Sequence, residues 1–150
     1  MTNSDISQHI LLHELGLLFD KGKRVVLPVK GKSMLPFLRE GKDKVILEPV
    51  KELKEGDIVL VHLSNGDIVL HRIFRINCNQ IVLMGDGNVY GQEKCTRNEV
   101  LAAASFIVRN GIEIDCNNQD ERRKVKIWKK LLPFRRYLLF IYKHLFLRIK

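Results

Sequence analysis

Apolar residues recur at two different periods along the chain, and the changes of period divide it into three parts. Over residues 4–19, Ile6, Ile10, Leu11, Leu15 and Leu18 fall at three- and four-residue spacings, with Ser4 placed as an N-cap, Asp5 in the first turn and Gly22 just past the end. This spacing predicts a short amphipathic helix. From Arg24 to about Asp115 the runs RVVLPV, DKVILEP, GDIVLVHL, DIVLHRIFRI, QIVLMG, EVLAAASFIV and IEID are short, rich in Val and Ile, and separated by Gly, Asn and Asp. β-branched residues between turn formers read as strands, so this stretch predicts a mainly β, mostly antiparallel domain. Ser64-Asn65-Gly66-Asp67 predicts a hairpin joining strands 57–63 and 67–76, and Asn-Gly suits a type I′ turn, whose two central residues both need positive φ.

Asn117-Asn118-Gln119-Asp120 reads as a linker, after which the helical period returns. Leu131, Phe134, Leu138, Tyr142, Leu145 and Ile149 line one side of a predicted helix, while Lys129, Arg136, Lys143 and Lys150 recur every seven residues on another. Pro133 would kink or restart that helix. The organisation expected is an N-terminal helix over 1–22, a β domain over 23–116, and a linker with a basic amphipathic tail over 117–150.

Charge adds a partner to this picture. The net +9 is unevenly held: residues 121–150 carry eleven Lys and Arg against the single acid Glu121, which leaves the rest of the chain almost neutral. A neutral body joined to a basic tail points to an anionic contact. With Trp128 and the tyrosines suited to the headgroup zone, we expect residues 122–150 to lie on an anionic membrane surface. The competing reading is that the apolar side packs on the body or a partner while the basic side is merely solvated. The body lacks aromatic residues placed for base stacking, so no nucleic-acid partner is expected. The longest uninterrupted apolar run in the tail, Tyr137–Tyr142, falls far short of the roughly 20 residues that span a bilayer. At the start of the chain His9, His13, Glu14 and Asp20 interrupt every apolar stretch, unlike a secretory signal. Cys78, Cys95 and Cys116 are odd in number and widely separated, which suggests neither a disulfide framework nor a zinc site.

Three segments carry candidate chemistry: Gly31-Lys32-Ser33-Met34-Leu35-Pro36, Val69-Leu70-His71-Arg72-Ile73 and Gly85-Asp86-Gly87-Asn88. A serine between two strands, preceded by Gly and followed by a restricting Pro, can be fixed in an exposed turn. Its hydroxyl needs a base within hydrogen-bond reach, and His71 can accept a proton near neutrality without a large shift. Lys32 and Lys30 are rival bases, better explained as solvated charges. Arg72 follows His71 on the opposite face of its strand and reads as structural or surface.

These segments, in this order, resemble the serine peptidase clan of type I signal peptidases and self-cleaving repressor domains. In that clan the serine of a Gly-x-Ser-Met-x-Pro box is the nucleophile, which maps onto Ser33. The base is lysine in the bacterial branch and histidine in the endoplasmic-reticulum and archaeal branch, so His71 makes this chain similar to the latter. The third box appears as Gly85-Asp86-Gly87-Asn88, departing at one position, and the resemblance implies that Asp86 orients or stabilises the imidazolium. Glu93 lies near where the histidine branch carries a further acid, but the local match is poor and it is set aside. The Ser33 backbone N–H is the candidate oxyanion donor.

The resemblance covers roughly Val25 to Val108 and implies a signal-peptidase-like β fold and an endopeptidase cleaving leader or signal-like peptides, with no metal or organic cofactor. The alternative is a noncatalytic peptide- or partner-binding module docked to membrane by its tail. Peripheral membrane association is expected, and the side is left open. A basic tail favours the cytoplasmic face, whereas the resemblance favours the opposite one.

Overall fold

The computed structural model describes residues 3–147; the side chains of residues 3–5, and with them Ser4 as an N-cap, lie outside the described residues, as do Ile149 and Lys150 of the tail pattern. Among the described residues eight strands follow helix α1 (Asn3–Asp20): β1 (Val25–Pro28), β2 (Asp43–Glu48), β3 (Ile58–His62), β4 (Ile68–Asn77), β5 (Gln80–Met84), β6 (Glu93–Cys95), β7 (Val100–Arg109) and β8 (Ile112–Asp115). They pair antiparallel throughout, in the order β1-β2-β7-β3-β4-β5-β6 with β8 added to β7, as a half-barrel sheet. The mainly β fold expected from the Val- and Ile-rich runs is the fold observed.

Each face of the sheet buries its own core. Val45, Leu47, Ile58 and Leu60 pack on one face with Leu15 and Phe19 of α1, and Val59, Val61, Ile73 and Leu83 pack on the other. β3 is therefore apolar at consecutive positions, because alternate side chains enter different cores. Helix α1 uses only its last turns for this contact. Leu15 and Phe19, one helical turn apart, are buried, whereas Ile6, Ile10, Leu11 and Leu18 of the expected apolar stripe stay exposed.

The β3–β4 hairpin forms as expected, but its turn is of another type. Leu63 N–H bonds to the Asp67 carbonyl at 2.8 Å and Gly66 N–H to the Leu63 carbonyl at 2.9 Å. Gly66 has φ +96°, while Asn65 is not among the positive-φ residues. A three-residue loop with Gly in the left-handed position satisfies the hairpin twist without forcing Asn65 there. The two-residue turn with both φ positive occurs instead at Asn110 (+53°) and Gly111 (+76°), between β7 and β8.

The C-terminal segment is helical but broken. Asn118 accepts the Glu121 N–H as N-cap of α2 (Gln119–Lys130), so half of the expected linker belongs to the helix. A 3₁₀ turn, Leu132–Phe134, contains Pro133; α3 (Arg135–Tyr142) follows and runs into a π turn, Lys143–Leu147. Leu131, Leu138 and Tyr142 of the expected stripe are half-buried, but Phe134 and Leu145 are exposed. Trp128, assigned above to a headgroup zone, is seated on the body: its ring meets Phe37 edge-on at 6.2 Å and its N–H donates to the Asp86 carbonyl.

Candidate active site

Ser33 sits in the loop between β1 and β2. Gly31, with φ +76°, turns the chain out of β1 and donates its N–H to the Glu40 carboxylate at 2.9 Å. Met34, Leu35 and Leu38 then anchor the loop in the core. Ser33 is left half-buried between exposed Lys32 and buried Met34. Its N–H has no hydrogen-bond acceptor among the described residues, which leaves it able to meet an incoming oxygen.

His71 reaches Ser33 from β4. Its Nε2 lies 3.2 Å from Ser33 Oγ and its Nδ1 lies 2.9 Å from a Glu93 carboxylate oxygen, with the ring almost wholly buried. A carboxylate only accepts, so this contact puts a proton on Nδ1 and turns the Nε2 lone pair toward the serine hydroxyl. Sheet register explains how Glu93 arrives. Ile73 of β4, Leu83 of β5 and Glu93 of β6 form one row across the sheet, and His71 is two residues from Ile73 on the same face.

Asp86 does not orient the imidazole. Its carboxylate takes Arg72 Nε at 2.8 and 3.0 Å and Arg72 Nη2 at 2.6 Å, and Arg72 Nη1 donates to the Gly56 carbonyl. The reason lies in strand alternation: His71 and Arg72 are consecutive, point to opposite faces, and each takes one acid. Sequence reasoning correctly put Arg72 on the other face but gave the wrong carboxylate to His71. Lys30 and Lys32 are both exposed, and the Ser33 hydroxyl is met by His71.

The segment Gly85–Asn88 supports the Ser33 loop through its backbone. Gly87 N–H donates to the Ser33 carbonyl at 2.8 Å. A Cβ on Gly87 would stand 2.5 Å from the Lys32 carbonyl oxygen, and one on Gly85 would collide with that of Ser33. Both glycines are therefore required by close approach rather than by backbone conformation. No cluster of three or more His, Cys, Asp and Glu suited to a metal ion occurs among the described residues.

The segment that holds this serine loop, histidine and turn has a family: residues 2–106 match Peptidase S24-like. The chain belongs to the Peptidase S24-like family. The match ends within β7, so β8, α2 and α3 lie beyond it. Peptidase S24-like membership places the chain in the clan shared by self-cleaving repressors and signal peptidases, and supports a serine-peptidase-type or self-cleaving fold. No curated protein matches the chain.

Proposed function

We propose that the protein is a serine endopeptidase of the signal-peptidase type, acting on leader-like peptides. The observation that carries this reading is the continuous chain Ser33 Oγ, His71 Nε2, His71 Nδ1 and Glu93 carboxylate. His71 removes the Ser33 proton as Oγ bonds to the scissile carbonyl carbon, and the oxyanion meets the Ser33 N–H. Glu93 stabilises the imidazolium, which then protonates the leaving amine. Water, deprotonated by His71, releases the acyl group and restores the serine. β1 ends the sheet order and runs toward Ser33, so its unpaired edge suits an extended peptide added as a further strand.

The tail's outer side supports a peripheral membrane contact. Phe134, Tyr137, Phe140, Ile141, Leu145 and Phe146 are all exposed, interleaved with exposed Arg136 and Lys143. An anionic bilayer complements both the apolar surface and its charge. Among the described residues no helix is long and apolar enough to cross a membrane. A noncatalytic binding module is the weaker reading, because a hydroxyl within reach of an oriented imidazole is not needed for binding alone.

The test is cleavage of a panel of leader-type peptides by wild type, Ser33→Ala and His71→Ala, with and without anionic vesicles. Cleavage that disappears in both variants and rises with vesicles is expected. No cleavage by the wild type, or equal cleavage by all three proteins, would transfer the assignment to a binding module.

A further inference from the structure

The turn Gly85–Asn88 touches the nucleophile loop on one side and the C-terminal helices on the other. On the loop side, Gly87 N–H holds the Ser33 carbonyl. On the helix side, Trp128 Nε1–H donates to the Asp86 carbonyl at 2.9 Å and Arg135 Nη1–H to the Asn88 carbonyl at 3.1 Å. Arg135 also donates to the Trp128 carbonyl at 3.4 Å, and its guanidinium stands 5.2 Å from the centre of the Trp128 ring.

Arg135 is a costly residue to place here. It is 3% exposed, forms no ion pair among the described residues, and leaves its Nε without a partner. An apolar side chain would fill the same space without burying a charge. What the guanidinium adds is a directed grip on two backbone carbonyls, one of them in the turn that carries Gly87.

We propose that Trp128 and Arg135, beyond the segment matched to the family, are positioning residues that press the turn Gly85–Asn88 onto the nucleophile loop and so hold Ser33 at its distance from His71. The catalytic part of this inference rests on the peptidase reading above; the mechanical part does not. The grip passes from the helix side chains to the Asp86 and Asn88 carbonyls, and from Gly87 N–H to the Ser33 carbonyl. Arg72 fixes the same turn through the Asp86 side chain, so the helices set the turn's height over the loop rather than its existence.

Full-length Trp128→Phe, Arg135→Met and Arg135→Lys proteins test it. Phenylalanine keeps a ring but loses the N–H, methionine keeps the stem but loses all donors, and lysine keeps a cationic donor group on a single nitrogen. Gly87 amide exchange should accelerate about tenfold in W128F and R135M, as for loss of one hydrogen bond, with β3 and β7 amides unchanged. The His71 ring ¹⁵N shifts, which report the Ser33 contact, should move in both. On a cleaved peptide, kcat should fall about 10–100-fold with KM unchanged, because a small misplacement of reacting groups acts on the chemical step. R135K should show little of the loss seen in R135M. Unchanged Gly87 exchange, equal acceleration through β3 and β7, or an unaltered kcat beside faster exchange would each overturn the proposal. If the wild type cleaves no peptide, the peptidase reading fails, and the positioning claim stands or falls on the exchange rates and the His71 shifts.

Discussion

Asp86 and Glu93 are acids bound to neighbouring residues of one strand, and they live under opposite conditions. The Asp86 side chain is 3% exposed and its oxygens are filled by three contacts from Arg72, whereas the Glu93 side chain is 28% exposed and, among the described residues, is hydrogen-bonded to the His71 ring alone. An acid already saturated by a guanidinium has little left to offer an imidazolium. An acid facing only the ring can respond when the ring gains a proton. The difference separates a carboxylate that builds the site from one able to take part in its chemistry, although both lie within a few residues of the same turn.

Substitutions that neutralise each acid in turn give the largest test of that separation. Glu93→Gln should lower kcat by about 10²–10⁴, the range expected when a base loses its orienting acid, while thermal stability changes little. Asp86→Asn should do the reverse first: it leaves Arg72 buried without its anion and should cost about 3–5 kcal/mol in denaturant unfolding. Replacing both members of that pair with apolar residues of similar volume, Arg72→Met with Asp86→Leu, should recover much of that stability without restoring activity. Should E93Q unfold the protein as severely as D86N, or D86N leave stability intact, the division of roles between the two acids is wrong.

Asp43 provides a smaller, pH-dependent control on the structural side. Burial works to raise its carboxyl, but hydrogen bonds from Arg109 and from the Arg39 N–H and side chain outweigh it and hold the group below its ordinary 3.8. A carboxyl lowered in the folded state stabilises fully above its unfolded value and loses that contribution as pH falls through the folded one. Acid unfolding should therefore steepen below about pH 4, and Asp43→Asn should flatten that limb while lowering stability at neutral pH. The smallest effect expected is on β6 itself. Burial pushes the Cys95 thiol up to about 11, so alkylation at neutral pH should reach exposed Cys78 well before it. E93Q should leave the Cys95 rate unchanged if its influence is confined to His71.

Most of the sheet was legible because its strands announce themselves with β-branched runs between turn formers. β6 did not, since three residues with one Lys and one Glu carry no apolar alternation; the only cue was Cys95, whose burial fixes Glu93 on the face of His71. Without that strand in view nothing outweighs the poor local match at Glu93, and the resemblance, through its Gly-Asp-Gly-Asn box, gives the acid's role to Asp86 instead. Ser33 and His71 were readable from the boxes, and their 3.2 Å separation is what the chain order alone could not supply. In the tail, the period revealed a helix but not its inner side. Trp128 and Arg135 point inward because their partners are backbone carbonyls of Asp86 and Asn88, groups that every sequence carries and none advertises.

Chain order also gives the site a schedule. Strands β1 to β8 all lie before residue 116, whereas the two side chains that grip the Gly85–Asn88 turn come from α2 and α3. During synthesis from the N-terminus the whole sheet can pair while those helices are still unmade. The serine loop would then wait, folded but unbraced, until α2 and α3 have emerged, so under the bracing proposed above Ser33 is held loosely in a growing chain and firmly only once both helices have docked.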